Sequence, residues 1–596
     1  SVFTNLDISG DIDVDGTTET DVLTINGSQF NYKAFGTDSI MIGDTTTGTI
    51  DAADGNTGLG VGVFAALTSG DNNTALGKGT LPVNTTGSSN TAVGRHSMFN
   101  NITGASNVAV GLNSLYFNTE GGFNVAIGQQ AMNANTDGGS NVAVGYQALI
   151  SNGSGAGNVA IGQQALDANT TANFNVAVGI NALGANTTAS NNTAVGTSAL
   201  VANTTGSENV AVGSLALDAN TTGPYNTAVG HGSLGANITG SQNAAFGYLA
   251  LAANTSIKNT AVGAYAQYQS TSATQSTAVG YGALAALTTG SYNTAVGALA
   301  LDANTTANHN TAVGDNSLGA NTTGSENTAV GKDALAANTT AASNSAFGYR
   351  ALYTNTTGTL NTALGESALR VNTTASNNTA VGWSALEANT TGTTNTALGK
   401  GAGGYITTGA GNTMLGTNAG ADSASLRLTT GSGNICVGFA TDIATPSDSY
   451  TVVIGYDITG KGSSTGYYGG SGAVYNEANT STWSTVSDRR IKKNIEDNNT
   501  GLEAINQIQV KNFEYRTEDE IVDFDNPASG VVKKEGIQLG VIAQEIEEIL
   551  PNMVRTESTG VKSIKPDDLT WYLVNAVKEL SAQNDALTTR ITALEG

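Results

Sequence analysis

The chain has 596 residues, of which 12% are charged and 39% hydrophobic, with 76 glycines and 6 prolines. Disordered chains couple low hydrophobicity to high charge, so this composition excludes a disordered chain and suits many thin layers better than one thick core. The net charge is −24, and residues 1–486 hold 10 Lys+Arg against 27 Asp+Glu, which excludes the Lys/Arg clusters needed to bind nucleic acid or an anionic membrane.

The first residues, SVFTNLDISGDID, lack a basic stretch followed by an apolar run, and no stretch reaches the ~18 apolar residues of a membrane helix. The expectation is a soluble protein assembled in a cytoplasm. Residues 1–55 alternate in strand fashion (LDISGDIDVDG, DVLTING) and read as a β-rich N-terminal stem. Within it Asp11–Gly16 (DIDVDG) imitates the start of a calcium loop, but the twelfth position is Val22 and the flanks are not helical. The alternation is more simply an exposed strand.

Residues 56–438 form a repeat array. NTAVG or a close variant starts at Asn56 and recurs every 17 residues through Asn243. One step of 16 leads to Asn259, and steps of 17 resume through Asn412, with a looser copy at Asn434. The unit reads NTAVGxxALxANTTGxx. It is too short for the helix pair of known helical arrays but long enough for one coil of a parallel β-solenoid, predicted as two short strands and two turns. Side chains alternate along NTAVG. The larger face (Thr227 with Val229, for example) is expected inside, and the Asn/Ala/Gly face, or the turns beside it, is expected to line a contact with another chain. Asn at each repeat start predicts a ladder of side-chain amides, and ANTTG supplies a polar turn. Twenty-two coils at the strand spacing span roughly 100 Å. Gly58–Gly62 (GLGVG) is one copy of this repeat rather than a nucleotide loop. His96, His231 and His309 show no metal-ligand spacing, and no cofactor or metal is expected. The repeat resembles the head β-rolls of trimeric autotransporter adhesins, whose repeats are usually shorter. That resemblance implies a homotrimer, and an interwoven triple β-helix is the alternative.

Residues 439–486 are rich in Gly, Ser and Tyr and read as a distal segment. Its aromatics, Tyr450, Tyr456, Tyr467, Tyr468, Tyr475 and Trp483, are expected to pack the final layers in preference to binding sugar. The lone Cys436 excludes an intrachain disulfide.

Beyond Val486, charge and helical periodicity appear together. The run SDRRIK (Ser487–Lys492) is followed by KKNIED, GLEAINQIQVKNFEYR, GVIAQEIEEILPNMV and DLTWYLVNAVKEL. These blocks, in this order, resemble the intramolecular chaperone auto-processing domain of phage tailspikes and tail fibres, whose motif is SDxRxK. The resemblance covers most of residues 487–596. It implies a Ser/Lys dyad, with Ser487 as nucleophile and Lys492 as general base. A lysine serves that role when burial lowers its pKa. Asp488 and Arg490 match the motif as cleavage-site residues, and the implied cut lies beside Ser487. Leu569, Leu573, Ala576, Leu580, Leu587, Ile591 and Leu594 fall on a heptad seam, predicting a terminal coiled coil.

The expected fold class is therefore mainly β: a long parallel β-solenoid of 17-residue coils, homotrimeric, with a C-terminal α+β chaperone domain ending in a coiled coil. The expected function is a structural viral tail or appendage fibre, located in the virion, that binds a host surface receptor such as a carbohydrate. Its sole enzymatic act is a single-turnover self-cleavage. A bacterial surface adhesin and a polysaccharide-degrading tailspike are the alternatives.

Overall fold

Each 17-residue unit forms one coil, and the coils stack through strands only three residues long. Thr294–Val296 lies parallel to Thr311–Val313, with Thr294 opposite Thr311 and Ala295 opposite Ala312. Between such coils the Thr294 N–H donates to the Asn310 carbonyl, and the Gly297 N–H to that of Val279, both at 2.8 Å. This is a computed structural model, and it describes residues 22–25, 28–34, 39–43, 53–421, 427–469, 474–476, 484–485, 489, 492–521, 532, 534–557 and 560–596. The chain divides into two units, Ser1–Val486 and Ser487–Gly596.

The first unit is the solenoid. Its parallel ladder starts before the first NTAVG, since Ile40–Gly43 already pairs parallel with Thr57–Gly60. Ahead of it, Val22–Ile25, Ser28–Ala34 and Ile40–Gly43 pair antiparallel in succession. At the other end Ile435–Val437 pairs parallel with Val452–Ile454, and that strand with Gly466–Gly469. Stacking thus continues past residue 438, where the sequence pattern fades. Antiparallel pairing then returns between Gly466–Tyr468 and Val474–Asn476.

The orientation of each strand is the reverse of the sequence expectation. Ala295, at the strand centre, is fully buried, whereas Val296 is 36% exposed and its neighbour Thr294 is half-buried. The same order holds in coil after coil, as in Thr91–Val93 and Thr362–Leu364. Asn and Ala face inward, and Thr, Val, Leu or Ile face out. The buried leucine column takes up the space facing the strand and leaves room for Ala at its centre; where Gly403 and Gly420 replace the leucine, the strand centre carries Met414. The face carrying Ala therefore cannot be a subunit contact.

The second predicted strand is not a strand. Leu301 and Leu318 sit in turns at φ +52, fully buried, and the Leu301 N–H donates to the Ser317 carbonyl at 3.0 Å. The left-handed conformation costs a leucine about 1–2 kcal/mol. Burying the side chain returns about 1.5–3 kcal/mol. The leucine column therefore both fills the core and bends the chain.

Polar side chains complete the interior. The Asn90 backbone N–H and Nδ2 both donate to Oδ1 of Asn73, at 3.0 and 3.1 Å, and Asn107 repeats this on Asn90. This is the predicted ladder. Ser39 heads it by accepting from the Asn56 N–H, and Thr451 ends it by donating to Asn434 Oδ1. A second ladder was not foreseen. In the ANTTG turns Nδ2 of Asn101 donates to Oδ1 of Asn84 at 2.8 Å, and Asn118 to Asn101 at 2.7 Å.

Candidate functional site

The second unit surrounds a small core of Ala504, Ile546, Leu550 and Met553, with Ile508, Val541, Ile564, Leu569 and Tyr572 packed partly buried against it. Three helices contribute: α1 (Leu502–Gln507), α2 (Ala543–Ile549) and α3 (Pro566–Glu595). Between them lie two antiparallel pairs, Lys511–Phe513 with Gln538–Gly540 and Val554–Thr556 with Lys562–Ile564. Lys511 pairs with Glu545 and Lys562 with Glu547, tying both strand pairs to α2.

Of the motif residues, Lys492 is described, and Ser487, Asp488 and Arg490 lie outside the described residues. Lys492 is exposed, and its backbone N–H donates to the Arg489 carbonyl at 3.3 Å. It opens an exposed stretch without helix or strand that runs to Thr500. The burial that a lysine base requires is therefore not supplied around Lys492 by the described part of this chain.

The end of that stretch is pinned to α3. Asn575 Nδ2 donates to the Asn498 carbonyl at 2.6 Å, and Glu579 Oε2 accepts from the Leu502 N–H at 2.9 Å. Gly501 lets the backbones meet, because a Cβ there would stand 2.9 Å from the Ala576 nitrogen. Beside this junction Asn499, Thr500, Glu503, Gln507, Glu548 and Glu579 line an open polar groove of about 510 Å³. Sequence reasoning missed Asn575 and Glu579. They act across more than seventy residues, and neither breaks the helical pattern around it.

The heptad seam of α3 divides in two. Ala576 is buried and Leu569 packs against the core, whereas Leu580, Leu587 and Leu594 are 55%, 55% and 85% exposed. Trp571 and Val577 are exposed as well, at 69% and 64%.

On the solenoid, each histidine takes part in an aromatic contact. His96 meets Phe99 edge-on at 5.1 Å, His231 stacks on Tyr248 at 5.6 Å, and His309 stacks on Tyr292 at 5.0 Å. In the distal segment Tyr467 is buried, but Tyr450, Tyr456 and Tyr468 are exposed, and Tyr456 stacks on Phe439 at 5.2 Å. The side chain of Tyr475, Trp483 and the calcium-like Asp11–Gly16 run lie outside the described residues. Cys436 is buried, and burial, with the charge of Asp442 adding to it, pushes its thiol up to about 12. Among the described residues no helix is long and apolar enough to cross a membrane.

No curated protein and no solved structure matches the chain. Residues 487–555 match the family described as chaperone of endosialidase. A C-terminal domain of that family behind a long β-solenoid body fits a tailspike or fibre with a C-terminal chaperone domain.

Proposed function

We propose that the chain is a structural fibre of a virus tail or appendage, assembled as a homotrimer and carried in the virion. Its C-terminal unit brings three copies into register and then cuts the chain beside Ser487. The observation that carries this reading is the chaperone-family match at 487–555, placed directly after a body of near-identical coils. Such a body offers many slipped pairings, because each coil presents nearly the same edge. A device that fixes register before the body folds removes that hazard and lowers the entropic cost of starting.

Two surfaces support self-association. The exposed leucines of α3 continue a heptad seam beyond the unit's own core, and a coiled coil would cover them. On the body, the outward strand positions from Thr57 to Ile454 carry Thr, Val, Leu, Ile, Phe, Ser or Ala and no charge. Leu364 and Leu398, for example, are 49% and 48% exposed. A partner that matches this stripe coil for coil is another copy of the same chain. In this reading Ser487 is the nucleophile, Lys492 its base, and Asp488 and Arg490 orient the cut strand. The exposed Lys492 then becomes enclosed only in the assembly, so cleavage follows trimerisation.

Intact-mass measurement of the wild type, Ser487→Ala and Lys492→Ala tests the chemistry. A shortened product of about residues 1–487 is expected for the wild type alone. A single full-length species in all three sinks the cleavage. Host attachment through a surface carbohydrate is part of the proposal and is tested by adsorption of the purified fibre to host cells.

A further inference from the structure

One stretch of the solenoid interrupts the leucine column and both asparagine ladders, while the alanine column at the strand centre runs through it unbroken. It contains the single 16-residue step, from Asn243 to Asn259. In the coil starting at Asn259, the leucine column is occupied by Gln267, which is fully buried with no partner for either amide atom. In the same coil Ser270 replaces the second-ladder asparagine, and its hydroxyl is likewise buried and unpartnered. In the next coil Leu287 occupies that column, and Ser276 replaces the first-ladder asparagine.

The hydrogen bonds record the consequence. The second ladder runs unbroken from Asn84 to Asn237 and ends there on an unpartnered Oδ1. Asn254 does not extend it. Its Nδ2 donates to the Ser256 carbonyl, and its Oδ1 accepts from Asn259, each at 3.2 Å. Asn304 bonds within its own turn, to Ala307. The ladder resumes at Asn321 and continues to Asn389. In the first ladder Ser276 keeps the backbone link, accepting from the Asn293 N–H at 3.2 Å. It has no amide to pass the side-chain bond on.

The same coils carry an external cluster. Tyr265 contacts Tyr248 at 5.4 Å, Tyr268 at 5.6 Å and Tyr281 at 6.1 Å, joining three successive coils by their rings.

We infer that the body consists of two cooperative blocks joined by a soft segment at residues 254–304, which opens before the rest and is braced from outside by Tyr265. Hydrogen-bond chains strengthen one another along their length, and buried polar atoms without partners lower the cost of opening. Single unpartnered buried atoms occur in other coils, as at Asn192, but among the described residues three fall in one coil only here, at Gln267 and Ser270, where the second ladder is broken as well.

Hydrogen–deuterium exchange on the full-length protein, read by peptide, tests the inference. Peptides spanning Thr260–Gly263 and Thr277–Gly280 should exchange on the order of tenfold faster than those spanning Val142–Gly145 and Thr362–Gly365. The variant Gln267→Leu/Ser270→Asn/Leu287→Asn should remove the difference, and Tyr265→Ser should enlarge it. Uniform exchange along the body, or protection that declines only from the two ends, overturns the inference on the wild type alone. An unchanged difference in the triple variant overturns its cause.

Discussion

Asn158 reaches the preceding coil through a single oxygen: its backbone N–H and its Nδ2 donate to Oδ1 of Asn141 at 2.9 and 3.2 Å. Asn175 treats Asn158 in the same way, at 3.0 and 3.3 Å, and Nδ2 of Asn158 also donates to the Ala172 carbonyl at 2.8 Å. One buried amide thus serves three coils.

Asn158→Ala leaves the buried Asn175 N–H without its acceptor, and the Ala172 carbonyl keeps only the longer bond from Asn169 Nδ2, at 3.2 Å. Stranding buried groups costs about 1–3 kcal/mol each. The variant should lower the unfolding free energy obtained from urea titration by an amount in that range. An unchanged value would show that the ladder contributes little.

The glycine that closes each NTAVG faces a different constraint. Gly213 sits at φ +138, and a Cβ there would stand 2.6 Å from the carbonyl carbon and oxygen of Gly230 in the next coil. Gly213→Ala must both hold a strained φ, at about 1–3 kcal/mol, and push two coils apart. Gly184 provides the contrast, since its nearest neighbours would be 3.4 Å away and its φ is ordinary. Thermal melting should fall sharply for Gly213→Ala and little for Gly184→Ala. Equal effects would refute the close-approach argument.

Three aspartates make the body's stability depend on pH. Burial raises the carboxyls of Asp167, Asp218 and Asp302, against a partial opposing effect of nearby backbone N–H groups and, for Asp218, of His231. A carboxyl raised in the folded state contributes stability below its unfolded value of 3.8, and that contribution is lost as pH rises through the folded value. The triple variant Asp167→Asn/Asp218→Asn/Asp302→Asn should therefore melt higher than the wild type at neutral pH. At about pH 3, where both forms are uncharged, the gain should vanish. A gain of equal size at both pH values would point to something other than the charges.

Much of this architecture is legible because every column repeats. The 17-residue period and the ladder through Asn73 and Asn90 follow from residues that recur in place. The second ladder, through Asn84 and Asn101, carried the same signal but read as an ordinary polar turn. Alternation along Thr294–Val296 defines two faces and does not say which is inside. The rule that larger side chains face the core fails on the strand because the leucine column from the turns already fills the space it faces. Leu301 misled for a local reason, since nothing in ALx betrays a leucine at positive φ. At the candidate site, the motif marks Lys492 by type and spacing. Its exposure is a property of the surrounding chain, and the tie from Asn575 to Asn498 is a long-range contact that no local pattern carries.

The C-terminal helix offers the most direct test of assembly. α3 is 30 residues long, about 45 Å at the helical rise, and its first half is held by Leu569 and Tyr572 on the unit's own core and by Ala576 beside Gly501. Its second half exposes Leu587 and Leu594 with no contact to that core. Leu587→Lys/Leu594→Lys places two charges on the seam while keeping good helix formers. Self-association should be lost or weakened in sedimentation, whereas circular dichroism should show the helix largely retained. If cleavage follows assembly, the same variant should accumulate the uncut chain. A variant that still assembles like the wild type would place the contact elsewhere, on the uncharged strand face of the body.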